Sequence, residues 1–262
     1  MPPFLLGSIF LHAGMLFLAA CSPEKWPLAL GLLIANHVAI IAAGLLPRST
    51  LLGANLVRLP EEAASRREVA LTFDDGPDPE VTPKVLEILD RYGVHATFFC
   101  IGERALAHPE ICREIAARGH DIENHGQRHR NHLAFSGFSG WMREVGEAQR
   151  TLEGITGIRP QYYRALAGLR NPFLDPVLKR LGIRLASWTR RGYDTRCGDC
   201  CMVLSRLTRD LQAGDILLLH DGNSARSQNG HPVVLELLPE LLCELQRQKL
   251  KPVPLRPSCK PA

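Results

Sequence analysis

The stretch ALTFDDGPDP, residues 70–79, carries a short apolar run into two adjacent carboxylates, Asp74 and Asp75, then a glycine and a Pro-Asp-Pro turn. On an exposed loop tip the pair would cost little. At the mouth of a buried strand, like charges this close raise one another's pKa unless a cation sits beside them. EVALTF, 68–73, therefore reads as a strand that ends where positive charge must converge.

Working outward, the chain from Glu68 alternates short β-rich runs with amphipathic helices. TPKVLEILDRYG, 82–93, predicts a helix capped by Thr82, with Pro83 in its first turn and Gly93 as its stop. Strands are expected in HATFFCIG, HDIEN, QYYR, RLASW, DILLLH and LKPVPL. Between them PEICREIAARG, SGWMREVGEAQRTLEGITG, PFLDPVLKRLG, MVLSRLTRDLQAG and PVVLELLPELLCELQRQ read as helices. The expected class is α/β: about seven β–α units, with connections short enough for a distorted (β/α)7-type barrel. A doubly wound open sheet is the alternative. The barrel is expected over 68–256, after a linker at 48–67 and before a tail at 257–262.

The polar residues choose strand ends. Asp74 and Asp75 follow the first strand, His125 and His129 the third, in ENHGQRH. Arg164 ends the fourth, Asp194 lies just past the fifth, and His220 with Asp221 ends the sixth. In a parallel α/β barrel all C-terminal strand ends open on one face, where active sites are built. Two imidazoles four residues apart and one carboxylate make a common catalytic zinc set that leaves a position for water. A bound cation of this kind answers the charge problem posed by Asp74 and Asp75. One aspartate ligates it, and the other remains beside it as a base.

The N-terminal part is different in kind. Residues 4–20 and 27–46 carry no charge, and only CSPEKW separates the two runs. Their lengths predict a helical hairpin over 1–47 that associates with a membrane. A signal peptide, a lipoprotein cleavage box at Leu18–Cys21 and a buried soluble hairpin are the alternatives. Arg48, Arg58, Arg66 and Arg67 follow the second run, which under the positive-inside rule keeps the C-terminal part cytoplasmic. The net charge of +4 over 262 residues is too small and too spread to indicate nucleic acid. Eight cysteines do not form the even spacing of a disulfide framework, and only Cys197, Cys200 and Cys201 cluster. No second C-x-x-C pair follows at zinc-ribbon spacing, so they read as loop cysteines without a shared role.

TFDDGP, then NHGQRH some fifty residues on, then an arginine strand end and a late LLLHD, together resemble the polysaccharide deacetylase family, the NodB homology fold of carbohydrate esterase family 4. The resemblance covers roughly 68–256. It implies Asp74 as general base, and a divalent metal on Asp75, His125 and His129. Zinc leads for that metal, with cobalt or nickel as alternatives. It further implies Arg164 holding the base, His220 as general acid, and Asp194 tuning that acid. The implied reaction removes an N-acyl group, acetyl or formyl, from an amino sugar, and the implied partner is an N-acetylated glycan or a lipid-linked amino sugar. A membrane hairpin on such a protein implies a bacterial inner-membrane location, with the side left open.

One motif departs from the family. Its third motif usually reads Arg-x-Pro-aromatic-Gly, and here it is Arg164-Ala165-Leu166-Ala167-Gly168. Loss of the proline removes rigidity from the loop. A backbone N–H at Ala167 still suffices for an oxyanion, although stacking on a sugar face is lost there. This departure raises a carbohydrate-binding pseudoenzyme as the alternative, with hydrolysis of a non-sugar amide as another. Trp188 reads as core packing or as a sugar platform, and His132 as a side chain within reach of substrate. His120 reads as surface or support.

Overall fold

Alternation along the first strand sorts the core into two layers. Val69, Leu71 and Phe73 pack outward among the helices, whereas Ala70 joins Phe99, Tyr162, Ile216, Leu218 and Trp188 inside the curled sheet. Successive strand side chains point to opposite faces, so Thr72 and Asp74 fall on the inner side with Ala70.

The computed structural model describes residues 1–256. Two apolar helices come first, α1 (Pro3–Cys21) and α2 (Trp26–Leu45), then a short α3 (Glu61–Ser65). The sheet and its covering helices follow as β1 (Glu68–Asp74), α4 (Thr82–Tyr92), β2 (Thr97–Cys100), α5 (Gly102–Ala107), α6 (Pro109–Ala117), β3 (Asp121–Asn124) and α7 (Phe138–Thr156). The second half runs β4 (Tyr162–Tyr163), α8 (Leu174–Leu181), β5 (Arg184–Leu185), β6 (Arg190–Arg191), α9 (Cys200–Thr208), β7 (Ile216–His220), α10 (Val233–Arg247) and β8 (Lys251–Val253). The tail expected at 257–262 lies outside the described residues.

All ladders are parallel, in the order β5-β4-β3-β2-β1-β7-β6. β8 lies beside the first half of β1, where Glu68–Ala70 meets Lys251–Val253, and β2 takes the second half from Thr72 on. Among the described residues no ladder joins β5 to β6, so the expected barrel is curled but open along that seam. Register aligns the functional ends. Asp74 stands opposite His220 on β7 and Phe99 on β2, Cys100 opposite Asn124, and Asn124 opposite Tyr163. The residues that follow these strands therefore emerge side by side.

Several expectations need correction. Thr82 is the first helical residue of α4 and not its cap. Val81 holds the cap position without a side-chain bond, Asp78 Oδ1 accepts from Glu80 and Val81 N–H in the turn before the helix, and the Thr82 hydroxyl donates to Asp221 at 2.6 Å. Cys200 and Cys201 lie on α9 and not in a loop, because Asp199 caps that helix by accepting from Met202 N–H at 2.9 Å. The seven described cysteines are free thiols. His120 is buried, edge-on to the Phe98 ring, with Nδ1 accepting from Ala96 N–H.

Residues 48–67, expected as a linker, pack on the barrel. Leu52, Leu59 and Ala63 are buried, and Arg58 pairs with buried Asp215 at 2.6 Å. α1 and α2 pair through Asn36 and Ser8 (2.7 Å) and through an edge-on contact of the His12 and His37 rings. Their other faces are apolar and open, with Phe10, Leu16, Phe17, Val38 and Ile41 exposed. The hairpin is therefore not a core element of the barrel.

Candidate active site

Asp74 ends β1 on the inner side, and Arg164, one residue past β4, reaches across to it. The guanidinium Nη1 donates to Asp74 Oδ1 at 2.7 Å and to Thr72 Oγ1 at 2.8 Å, and Nη2 donates to Ser187 O at 3.0 Å. Arg164 is fully buried, with its Cζ 4.0 Å from the centroid of the Phe99 ring. Burial lowers its pKa, against the opposing charge of Asp74. An ion pair this dry and this fully bonded fixes the direction of Asp74 Oδ2, and breaking it would cost about 3–5 kcal/mol.

Asp75 turns the opposite way because its φ is +72°. Left-handed backbone costs a non-glycine residue about 1–2 kcal/mol. The same feature recurs at His129, Ala167 and Asn223, all of which line the cleft. Surrounding bonds hold Asp75 there: Arg104 Nη1 donates to its backbone oxygen at 2.7 Å, and Asn223 Nδ2 to its Oδ2 at 3.0 Å. Its Oδ1 lies 3.2 Å from His125 Nε2 and 2.9 Å from His129 Nε2. Burial opposes the carboxylate charge, yet the two imidazoles hold its pKa far below the ordinary range.

The two histidines are aimed from behind. His125 Nδ1–H donates to Arg164 O at 2.8 Å, which leaves Nε2 as the free lone pair. Buried Glu144 of α7 accepts from the backbone N–H of Arg128 and His129, at 2.6 and 3.1 Å, and so places the His129 loop. His129 Nε2 is buried without a hydrogen bond of acceptable geometry. Asp75, His125 and His129 each offer one ligand atom within 4.8 Å of the others. An orphaned, buried imidazole nitrogen beside a carboxylate and a second imidazole suits a divalent transition metal.

On the far wall, both oxygens of buried Asp194 serve His220. Oδ1 accepts from Nδ1–H at 2.8 Å and Oδ2 from the backbone N–H at 2.7 Å. Burial disfavours the imidazolium, but the Asp194 hydrogen bond and charge outweigh it, so the His220 pKa is raised. Asp221 supports the opposite rim: an added Cβ on Gly76 would strike its carboxylate, and Thr82 donates to it. Burial, with Asp75 and Asp74 near, pushes the Asp221 pKa up to about 7.

The cleft encloses about 410 Å³ and brings together Asp74, Asp75, His125, His129, Ala167, Trp188 and His220. Arg164 and Asp194 lie immediately behind it. Trp188 packs in the inner core, 5% exposed, and also forms part of the cleft wall. His132 is not brought in. Leu133 takes the inward position of the turn Asn131–Phe135, leaving His132 exposed and outside the cleft lining. Arg191, Arg196 and Asn223 also line the cleft and were not singled out from the sequence, and neither was Glu144. A larger cavity of about 540 Å³ lies where β1 begins and β8 ends, and among the described residues no cluster of metal-ligating groups faces it.

The polysaccharide deacetylase family model matches residues 61–186. A peptidoglycan-N-acetylglucosamine deacetylase of Bacillus cereus is 34% identical over 177 residues, 66% of this chain and 81% of its own length. The chain belongs to the polysaccharide deacetylase family. A chitooligosaccharide deacetylase of Azorhizobium caulinodans is 34% identical over 159 residues, 60% of this chain and 75% of its own. Among solved structures, the Bc1960 peptidoglycan N-acetylglucosamine deacetylase in complex with 4-naphthalen-1-yl-N-oxidanyl-benzamide aligns with a TM-score of 0.69 at 28% identity, over 77% of this chain and 90% of that one. This polysaccharide deacetylase is thus an enzyme of carbohydrate substrates that cleaves carbon–nitrogen bonds other than peptide bonds.

Proposed function

We propose that the chain removes an N-acyl group, acetyl first among candidates, from an amino sugar of a glycan or of a lipid-linked precursor. One observation carries the reading: a single cleft presents an Asp-His-His donor set between two oriented pairs, Arg164–Asp74 and Asp194–His220. Asp75, His125 and His129 would hold a divalent ion, with zinc best suited to this donor set and cobalt or nickel next. When bound, such an ion supplies a Lewis acid that polarises the acyl carbonyl and acidifies water.

The remaining steps belong to the chain. Asp74, unable to rotate away from Arg164, takes the proton of the attacking water through its second oxygen. The Ala167 N–H faces the oxyanion, and no backbone hydrogen bond among the described residues already uses it. His220, fixed through Nδ1 by Asp194, presents Nε2–H and protonates the departing sugar amine, a poor leaving group otherwise.

Residues 68–256 are assigned as the deacetylase domain and 1–47 as its membrane hairpin. Helices of 19 and 20 residues span about 28–30 Å, the thickness of a hydrocarbon core. Their outer faces are apolar and exposed, which favours a bacterial inner-membrane location. The test is acetate release from N-acetylglucosamine oligomers by the full chain in detergent. Release that disappears on chelation and returns with zinc supports the reading. A chain that binds one zinc tightly and releases acetate from no glycan, lipid-linked or free, refutes it.

A further inference from the structure

The apolar hairpin does not join the barrel through slack chain. α2 ends at Leu45, and within four residues the backbone is fastened to the wall of the cleft. Gly44 O accepts from Arg170 N–H at 3.1 Å, and the buried Arg170 guanidinium donates to Ser49 O. Pro47 O accepts from Ser187 Oγ at 2.6 Å and from Asn55 Nδ2 at 2.9 Å. Pro47 itself lies flat on Gly168: an added Cβ there would come within 2.8 Å of its Cγ and 3.0 Å of its Cα. Gly44 has no more room, since its own Cβ would meet Arg170 O. Glycine is required on both sides of this contact for the two backbones to approach.

Each anchored residue leads straight to the chemistry. Gly168 (φ +74°) follows Ala167 (φ +50°), which lines the cleft. Two successive left-handed residues, one of them alanine, are not a conformation the loop would keep unaided. Its own backbone bonds are two, Gly168 N–H to Ala165 O and Leu169 N–H to Leu166 O. Ser187, bonded to Pro47 O through its hydroxyl, accepts through its carbonyl from the arginine that holds Asp74.

We propose that the hairpin exit, Gly44–Ser49, is a positioning element of the active site. It holds the Leu166–Gly168 loop so that the Ala167 N–H faces the reacting carbonyl, and it steadies Ser187 behind Arg164. The inference rests on the deacetylase reading for its catalytic consequence, and on the contacts alone for its conformational one.

The experiment uses the full chain in detergent and the variants Pro47→Gly, Ser187→Ala and the double variant Pro47→Gly/Leu166→Pro. Proline fits at 166, because Ala165 already has the extended backbone favoured before proline (φ −75°, ψ 141°). The Leu166 N–H donates no backbone hydrogen bond among the described residues. In Pro47→Gly, kcat for acetate release is expected to fall about tenfold while zinc affinity holds, and amide exchange at Gly168 and Leu169 is expected to quicken. Leu166→Pro, by stiffening the loop from within, is expected to recover most of both losses. Ser187→Ala, which keeps the proline, gives a smaller fall in the same direction and guards against misfolding of the first variant. Wild-type kcat and unchanged amide exchange in Pro47→Gly overturn the proposal. So does a loss that Leu166→Pro leaves untouched, since the segment is then only structural. A wild-type chain without deacetylase activity, whose amide exchange still quickens in Pro47→Gly, overturns the enzymatic reading and leaves the clamp standing.

Discussion

Replacing Asp194 by asparagine keeps the side chain's size and removes the charge that sustains His220. Both Asp194 oxygens accept from His220, one from the ring and one from the backbone. An amide offers only one acceptor, so Asp194→Asn either turns NH2 toward the backbone N–H or turns it toward Nδ1. The first leaves two donors facing each other, and the second fixes a neutral imidazole. A buried hydrogen bond to a charged group contributes about 1.5–3 kcal/mol. At 1.36 kcal/mol per unit, the His220 pKa should fall by about one to two units. The sign follows from the direction of the native shift. His220 is raised in the fold, so the acid is present at lower pH and lost as pH rises through its pKa. The variant should move the alkaline limb of kcat to lower pH and lower its maximum about 100-fold, the low end of what a general acid contributes. Acetate release from N-acetylglucosamine oligomers between pH 6 and 10, with zinc affinity measured in parallel, checks this. An unmoved alkaline limb with kcat within about threefold of wild type would refute the assignment of His220 and Asp194 together.

Asp75→Ala should abolish tight zinc binding and activity together, whereas Asp74→Asn should keep one zinc per chain and lose turnover by about 100-fold or more; full activity in Asp74→Asn, followed by acetate release, would end the proposed mechanism. Arg164→Leu leaves the buried Asp74 carboxylate without its arginine and should cost about 3–5 kcal/mol in urea unfolding, with Arg164→Lys losing less; equal stability of Arg164→Leu and wild type would show that the pair does not stabilise the fold. His120 is buried and its pKa is pushed down to about 4, first by burial and then by the charge of His95. The unfolded chain binds that proton first, so stability should drop by roughly 2–3 kcal/mol as pH falls from about 6.5 to 4, a slope that His120→Leu should flatten; the same slope in both proteins would place its origin elsewhere.

Asp74, Asp75, His125, Arg164 and His220 were legible in the sequence because each follows a β-rich run, and a parallel sheet carries all such ends to one side. Asp194 was harder: WTRRGYDT has no sharp pattern, so its place past a strand pointed to it only loosely, and its partner His220 lies 26 positions away. Glu144 and Asn223 left no signal, since one holds backbone N–H groups from a helix interior and the other steadies Asp75 through a left-handed turn. β6 consists of two arginines, Arg190 and Arg191, whose composition argues against a strand and whose pairing with β7 decides otherwise. The segment at 48–67 resembled a linker because the apolar residues it buries, Leu52, Leu59 and Ala63, are too widely spaced to show a period. Three of the four arginines that suggested an orientation are engaged by the barrel, Arg58 with Asp215, Arg66 with Glu68 and Arg67 with Lys249 O. Their charge therefore has a local use that topology rules do not consider.

The seating of Pro47 on Gly168 also sets the stance of the molecule. A catalytic domain on a long polar leash sweeps a volume that grows with the leash. Here the leash has almost no length, and the loop beside the cleft is fastened to the last turn of α2. Phe135 and Phe173 stand exposed, and Asn171 links their segments: its Nδ2 donates to Ala134 O and Ser136 O, and its Oδ1 accepts from Phe173 N–H. If the hairpin is seated in a bilayer, as proposed, reach would select the substrate before affinity does. On that reading, sugars still close to the lipid headgroups would come within range, and finished polymer farther out would not.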